Sequence, residues 1–371
     1  MRRKTMKLIC KKAIFLLAFL AAINQVHSQT YERKRSEKKA FAIKATTEIQ
    51  INNKYGNIHI VNWEKDSVRF EIDLTLVGTK ESKIQKNFEM IDFEFTTTGS
   101  YVIAKTVFKE GMDSFWGEVN DLATTIFNST NRTQINYKVY MPANCPLKIE
   151  NKFGNIYLDD HIGKVNITLA NGDLKANEFT ADFTLKIDFG KVIIRKLNKA
   201  RISGSYAGID IVNAGTINFD TRSSTLELSQ VESLDMISRR DKINIEDIKS
   251  IKGDMSFTEL RCENISGQII LTTSYGGLVF KSVSTSFDKI VLKSKFTDLS
   301  LNYKQEPAFN LSIEHSGKPE ITLPTRFKKT SEEVIDVKQG VTKLTGNMGA
   351  GKTLPLINIQ ITGGRLEITN Y

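Results

Sequence analysis

Histidine and cysteine are scarce in this chain, at 4 and 3 residues of 371, and no stretch combines them at ligand spacing. Beyond the first 28 residues the histidines are His59, His161 and His315, far apart in the repeat described below, so no metal cluster is expected. Two cysteines, Cys145 and Cys262, remain in the same region. No apolar run approaches the roughly 20 residues that a membrane-spanning helix needs, which excludes a helical transmembrane segment. Charge of one sign is not missing either: 52 Lys and Arg stand against 42 Asp and Glu. A nucleic-acid footprint would need basic residues gathered on one face, and the body is nearly balanced, so nucleic acid is not expected as a partner.

Much of the basic excess belongs to the N-terminus. Arg2, Arg3, Lys4, Lys7, Lys11 and Lys12 precede an unbroken apolar run from Ala13 to Ile23, the pattern of a secretory signal peptide. As a helix that run would span roughly 16 Å, too short for an anchor. Ser28, with Val26 two before it, is the expected cleavage point, leaving Gln29 as the new terminus. Cys10 lies ahead of the apolar run, so lipidation is not expected. Removing residues 1–28 leaves 46 basic residues against 42 acidic ones. A basic tail over 29–40 (Arg33, Lys34, Arg35, Lys38 and Lys39 against Glu32 and Glu37) is expected to be a solvated or disordered terminus.

What the chain does have is repetition. The octapeptide from Asn53 to Ile60 (NKYGNIHI) returns from Asn151 to Leu158 as NKFGNIYL. Anchoring on the first apolar residue after the turn gives Ile156, Leu174, Val192, Ile209, Leu226, Ile243, Leu260, Leu278 and Leu299, at spacings of 18, 18, 17, 17, 17, 17, 18 and 21. Two residues after each anchor stand Leu158, Ala176, Ile194, Ile211, Leu228, Ile245, Cys262, Phe280 and Leu301, all apolar, which is strand alternation kept in phase. Two residues before, small or turn-forming residues recur as Gly154, Gly172, Gly190, Ala207, Ser224, Asp241, Thr258, Gly276 and Thr297.

A unit this short cannot close a core by itself, because each strand has one apolar face and two unpaired edges. Parallel stacking of the units solves both problems, with equivalent strands pairing at about 4.8 Å and the anchors forming inner columns. The fold expected is therefore all-β, a parallel β-helix (β-solenoid) with 17–18-residue coils and an N-terminal cap containing one short helix. The boundaries expected are a first coil plus capping region over 41–150, the regular β-helix over 151–303, and less regular coils and final strands over 304–371. Within the capping region, Val68–Leu76, Tyr101–Phe108 and Ile135–Tyr140 read as strands. Ile84, Phe88 and Ile91 fall at helical spacing inside Glu81–Phe95. Gly364, Leu366 and Ile368 fit the phases of a last coil.

With the repeated Asn-Lys-[Tyr/Phe]-Gly-Asn-Ile motif, the coil length and the Gly-rich stretch before the final strands in view, the chain resembles the DUF4097/DUF2807 type of exported β-helical adhesin candidates common in Bacteroidetes. The resemblance covers about residues 40–371. It implies a Gly-rich linker near residue 350 and an adhesin-type role.

Several features resemble chemistry. Gly346 to Thr353 (GNMGAGKT) matches the phosphate-loop pattern, including Gly351 and Lys352. That mechanism needs a helix directly after the loop, whereas Leu354-Pro355-Leu356-Ile357-Asn358-Ile359 reads as a strand, and an exported compartment lacks nucleoside triphosphates. Three residues before each anchor-type position, Tyr55, Phe153, Phe189, Tyr206, Phe257, Tyr275 and Phe296 recur, with Asn171, Ser223 and Arg240 in the gaps. Stacked at coil spacing they form an aromatic ladder, expected to pack against itself, with carbohydrate binding as the functional alternative. Asp159-Asp160-His161 reads as a solvated corner. Asp210, Glu227 and Arg261 share one outward phase within four coils; a solvated face is expected, and catalysis would require such groups to converge. Asp66-Ser67-Val68 matches a short O-glycosylation acceptor pattern. Cys262, at an inward phase six coil steps from the coil that follows Cys145, is expected to be buried and unpaired.

No catalytic, cofactor-binding or metal residue is assigned. The expectation is a non-catalytic exported protein of the periplasm, outer-membrane surface or secreted fraction, an adhesin or scaffold binding an unknown glycan or envelope protein. The alternatives are a glycan-active enzyme on a β-helix, or a scaffold that self-associates end to end.

Overall fold

The computed structural model describes residues 30–109, 132–351 and 353–370. The expected signal peptide and Lys352 lie outside the described residues. Among the described residues the chain is nearly all β with one short helix, and the strands join one extended sheet. Its contacts divide it into two units.

The larger unit takes in 36–73, 93–107 and 134–371. Its rows pair in parallel at a constant offset. Val165 lies opposite Phe183, Ile209 opposite Leu226, and Leu226 opposite Ile243, offsets of 18, 17 and 17 residues. Leu278 faces Leu299 in the same manner. Every anchor from Ile156 to Leu299 is buried, at 2 % exposure or less, and every residue two positions on is buried as well. Because side chains alternate with a period of two, a one-residue slip would turn each of these columns to solvent, so burial of both columns fixes the register.

Chain order and stacking order differ at both ends of this unit. Glu48–Lys54 pairs with Leu147–Lys152 on one side and with Tyr101–Phe108 on the other. Ile58–Asn62 likewise lies between Ile156–Leu158 and Arg132–Met141. The two octapeptides are therefore direct neighbours, with Ile58 opposite Ile156. At the other end, Leu356–Thr362 and Arg365–Asn370 take the expected phases, Leu366 opposite Leu299 and Ile368 opposite Leu301. They are last in sequence and not last in the stack. Phe309–Ser316 and Glu320–Thr322 pair on their far side, so these two C-terminal strands are held on both edges. Beyond Phe309–Ser316, Val341–Met348 and Lys328–Asp336 continue the sheet antiparallel. Lys328–Asp336 is the outer strand; its register irregularities and its Lys328, Lys329, Glu332 and Glu333 are features that discourage further pairing.

The smaller unit includes, among the described residues, 30–35, 74–92, 108–109 and 132–133. Its helix, Glu81–Glu89, buries Ile84. Arg33 pairs with Glu81 at 3.0 Å, and the Arg35 guanidinium lies over Phe88 while donating to the Ile91 carbonyl at 2.8 Å. The helical spacing expected to reach Phe95 stops at Glu89, since Ile91–Thr97 is a strand with Ile91 and Phe93 buried in alternation.

The basic run expected as a loose terminus is the strand Tyr31–Ala42, paired with Ser67–Gly78. Lys38 meets Glu71 at 3.5 Å, Ser36 donates to Asp73, and Phe41 packs on Phe70 at 6.2 Å between ring centres. Composition alone conceals those acids and the aromatic anchor, which lie on a strand some thirty residues further along the chain.

Candidate functional site

The octapeptide motif has a physical reading at each position. Asn53 and Asn151 are buried, and the Asn151 amide donates to the carbonyls of Gly56 and Gly154 at 3.0 and 2.9 Å. The next residue but one, Tyr55 or Phe153, turns the corner in the left-handed region at φ 68 and 59. Glycine follows because the rows touch there: a Cβ on Gly154 would stand 2.0 Å from the Gly56 carbonyl oxygen, and one on Gly172 would stand 2.1 Å from that of Gly154. Asn57 and Asn155 then bridge rows, their side-chain oxygens accepting the N–H of Asn155 and of Asp173 at 2.9 Å each. Asp173 does the same for Lys191 at 2.8 Å.

Where the spacing shortens, side chains replace glycine at the inner corner. Ala207 N–H donates to the Ser224 hydroxyl at 3.2 Å, and Ser224 N–H to Asp241 at 2.7 Å. Asp241, 3 % exposed, also accepts from Thr221 and Ser238 at 2.8 and 2.6 Å. A buried carboxylate is costly unless its lone pairs are filled, and these donors fill them.

The aromatic series occupies the outer side of the same corner. Tyr55, Phe153, Phe189, Tyr206, Phe257, Tyr275 and Phe296, with Asn171, Ser223 and Arg240, all lie at φ between 51 and 68. Large side chains seldom adopt this conformation, which costs about 1–2 kcal/mol per residue. The rings stack: Tyr55 on Phe153 at 5.3 Å and 4°, Phe189 on Tyr206 at 5.0 Å and 5°, Phe257 on Tyr275 at 4.9 Å and 9°, and Tyr275 on Phe296 at 5.7 Å and 21°. Arg240 caps Phe257 with its guanidinium 5.7 Å from the ring centre. Stacking returns about 0.5–1.5 kcal/mol per pair beyond area burial, so these four pairs offset only part of the corner cost of their seven rings. Self-packing is only half of the arrangement. Phe189, Tyr206, Phe257, Tyr275 and Phe296 remain 43–55 % exposed. Aromatic side chains of about 200 Å² each, half exposed, leave roughly 500 Å² of apolar surface along one edge, divided by Ser223 and Arg240 into a pair and a trio of rings.

Half a repeat away, a groove of about 880 Å³ runs along the rows. Its floor is Phe179, Leu197, Ala214, Val231, Ile248 and Ile265, all buried. Its walls carry amides, hydroxyls and charges, among them Asn213, Gln230, Glu232 and Asp247. Lys196, donating at 2.8 Å, holds the Glu178 carboxyl below the usual carboxylate range, with Arg195 at 3.3 Å adding to it. Asp247 accepts from Asn264 at 2.9 Å.

The other expected features fall as follows. Asp210 lies opposite Glu227, which accepts from Asn244 at 2.7 Å. Arg261 pairs with Glu263 at 3.2 Å, and Glu263 with Lys281 at 2.6 Å. Asp159 and Asp160 are exposed, but His161 is not the solvated corner residue expected: it is 1 % exposed, with Nε2 2.9 Å from the Cys145 carbonyl oxygen. Burial lowers its pKa. Alternation could have shown this, because His161 continues the inward phase of Leu158 after a one-residue corner. Gly346 lies inside the strand Val341–Met348, and Thr353 is followed by the strand Leu356–Thr362. Cys145 and Cys262 are free and buried, and burial pushes the Cys262 thiol up to about 12. Among the described residues no group of three or more His, Cys, Asp and Glu side chains is placed to hold a metal ion.

The class these features define is an all-β repeat protein with an exposed aromatic corner. No family model matches the chain, and no curated relative matches it. Among solved structures, a candidate adhesin from Parabacteroides merdae is 11% identical, with 71% of this chain and 91% of that one covered at a TM-score of 0.32. A candidate lipid-binding protein from Parabacteroides distasonis is 12% identical, covering 71% and 92% at 0.31. A candidate cell adhesion protein from Clostridium sporogenes is 12% identical, covering 91% and 100% at 0.18.

Proposed function

We propose that this chain is an exported, non-catalytic parallel β-helix of the cell envelope or surface, of the DUF4097/DUF2807 type, that binds a glycan or envelope protein through its aromatic corner. Parallel pairing at offsets of 17 and 18 residues supports the β-helix reading. The basic, apolar leader over residues 1–28 supports export. Outward charges are answered by partners in neighbouring rows, such as Asp220 with Arg239 at 3.0 Å and Glu263 with Lys281, which suits a solvated face better than a catalytic constellation. The observation that carries the reading is the exposed aromatic strip, retained at corners that glycine or asparagine would occupy with less strain.

The test is a glycan-array and whole-cell binding screen with residues 29–371, run beside the variant Phe189→Gly/Tyr206→Gly/Phe257→Gly/Tyr275→Gly. Glycine removes ring contacts and corner strain together, so the variant should keep its circular dichroism spectrum and lose binding at least tenfold. A folded variant that binds as well as the parent would overturn the reading.

The groove favours a second reading, a glycan-active enzyme. Glu232 and Asp247 line it from adjacent rows, Glu232 opposite the wall that bears Asp247. Release of reducing ends from a polysaccharide, abolished by Glu232→Gln or Asp247→Asn, would establish that reading in place of the first.

A further inference from the structure

The aromatic ladder is interrupted at two places, and the interruptions have the dimensions of a ring. Phe153 N–H donates to Ala170 and Asn171 N–H to Asp188, each at 2.9 Å, so the rows of Phe153, Asn171 and Phe189 are consecutive. Gly208 opposite Thr225, and Arg222 opposite Arg239, place Ser223 in the same way between Tyr206 and Arg240. At each place a small polar residue holds the left-handed corner, Asn171 at φ 55 and Ser223 at φ 52, where its neighbours hold rings or a guanidinium. Flanking groups two rows apart are separated by about 9.6 Å, twice the strand spacing. A ring inserted midway would sit about 4.8 Å from each wall, close to the 5.0 Å at which Phe189 and Tyr206 already stack.

Elsewhere the stacked neighbours cover one another's faces. At these two rows a small polar side chain stands between larger flat groups in the rows on either side: Phe153 and Phe189 around Asn171, and Tyr206 and the Arg240 guanidinium around Ser223. Asn171 is exposed, and its side-chain amide makes no hydrogen bond to another described residue. The Asn171 slot has two aromatic walls and the Ser223 slot an aromatic and a guanidinium wall, each with a polar base, an arrangement that matches a pyranose, whose faces present C–H groups and whose rim presents hydroxyls. A benzyl or phenol side chain would match the walls and leave the base unused.

Resting on the binding reading above, we propose that the Asn171 and Ser223 rows are two pyranose-binding slots, about 14 Å apart along the stack, that sugar rings of a neutral oligosaccharide enter to complete the ladder. Asn171 supplies donors and an acceptor to the hydroxyl rim at one slot, and the Ser223 hydroxyl does so at the other.

The test fills the slots from within. Asn171→Phe and Ser223→Tyr place rings at corners whose φ already equals that of the aromatic rows, so the double variant should fold; Ser223→Arg, which copies Arg240, is the second filling variant. Immobilised neutral gluco-, manno- and galacto-oligosaccharides serve as probes, with a Phe/Tyr-rich peptide beside them. Filling both slots should weaken oligosaccharide binding at least tenfold while melting stays at or above that of the parent. Binding within twofold of the parent in the filled variant would overturn the slots. If the glycine-substituted ladder still loses binding, the broader reading survives that result. Parent binding to the peptide and to none of the oligosaccharides would overturn the sugar class, and no binding to either probe at millimolar concentration would overturn both proposals.

Discussion

Replacing Gly172 with alanine separates two opposed effects. Gly172 does not hold a left-handed φ, so on conformational grounds alanine should stabilise by about 0.4–1 kcal/mol through the unfolded chain. The contact term has the other sign. The added Cβ would lie 2.1 Å from the Gly154 carbonyl oxygen and 2.8 Å from its carbonyl carbon, more than 1 Å inside ordinary contact, and both atoms are backbone in a paired row. Relief requires opening the stack, and overpacking of this kind costs about 1–3 kcal/mol. A net loss of about 1–2 kcal/mol is expected, read as a lower midpoint in urea with an unchanged slope. Ala207→Gly is the control, since the same phase already accommodates a Cβ there; it should cost no more than about 1 kcal/mol. A Gly172→Ala protein as stable as the parent would refute the claim that glycine marks close approach of the rows.

Leu226→Asp should destabilise by about 4 kcal/mol or more, because Leu226 is fully buried and the carboxylate would have no partner; thermal melting checks it. His161 is held neutral by burial, so its folded pKa lies below the unfolded value. Its contribution is complete above the unfolded value near pH 6.5 and is lost as pH falls from there through the lower folded value, and His161→Gln should flatten that acid limb of a stability–pH profile. Cys262, at 0 % exposure with a raised pKa, should resist a thiol reagent until denaturant is added. Prompt labelling in buffer, or a native disulfide to Cys145, would contradict the placement of both.

The repeat was legible because stacking imposes the same demand on each unit: an apolar anchor, an apolar residue two on, and a corner residue. Ile156 through Leu299 and the corner series from Tyr55 to Phe296 follow from spacing alone. Permutation at the ends was not legible. Leu366 carries the same phase wherever its row sits, so periodicity places it in a row without saying which row lies beside it. The strand at Tyr31–Ala42 was hidden for a related reason, since its Lys38 is answered by Glu71 and its Ser36 by Asp73 across a pairing that composition does not encode. Of the candidate site, the aromatic positions could be read, but whether the rings lay inside or outside could not. The corner conformation decides that, and the sequence shows it only through Asn171, a residue that tolerates left-handed φ.

Every reading above depends on adjacent rows being parallel and in register, and a pair of engineered cysteines measures that directly. Asp210 lies opposite Glu227, and Glu227 opposite Asn244, on an outward phase. Adjacent rows at about 4.8 Å fall inside the α-carbon range for a disulfide, and rows two apart at about 9.6 Å fall outside it. Under mild oxidation Asp210→Cys/Glu227→Cys should form an intramolecular disulfide, and Asp210→Cys/Asn244→Cys should not, as read by mass spectrometry of the folded protein. A disulfide in the second pair, or none in the first, would contradict the stacked-row account.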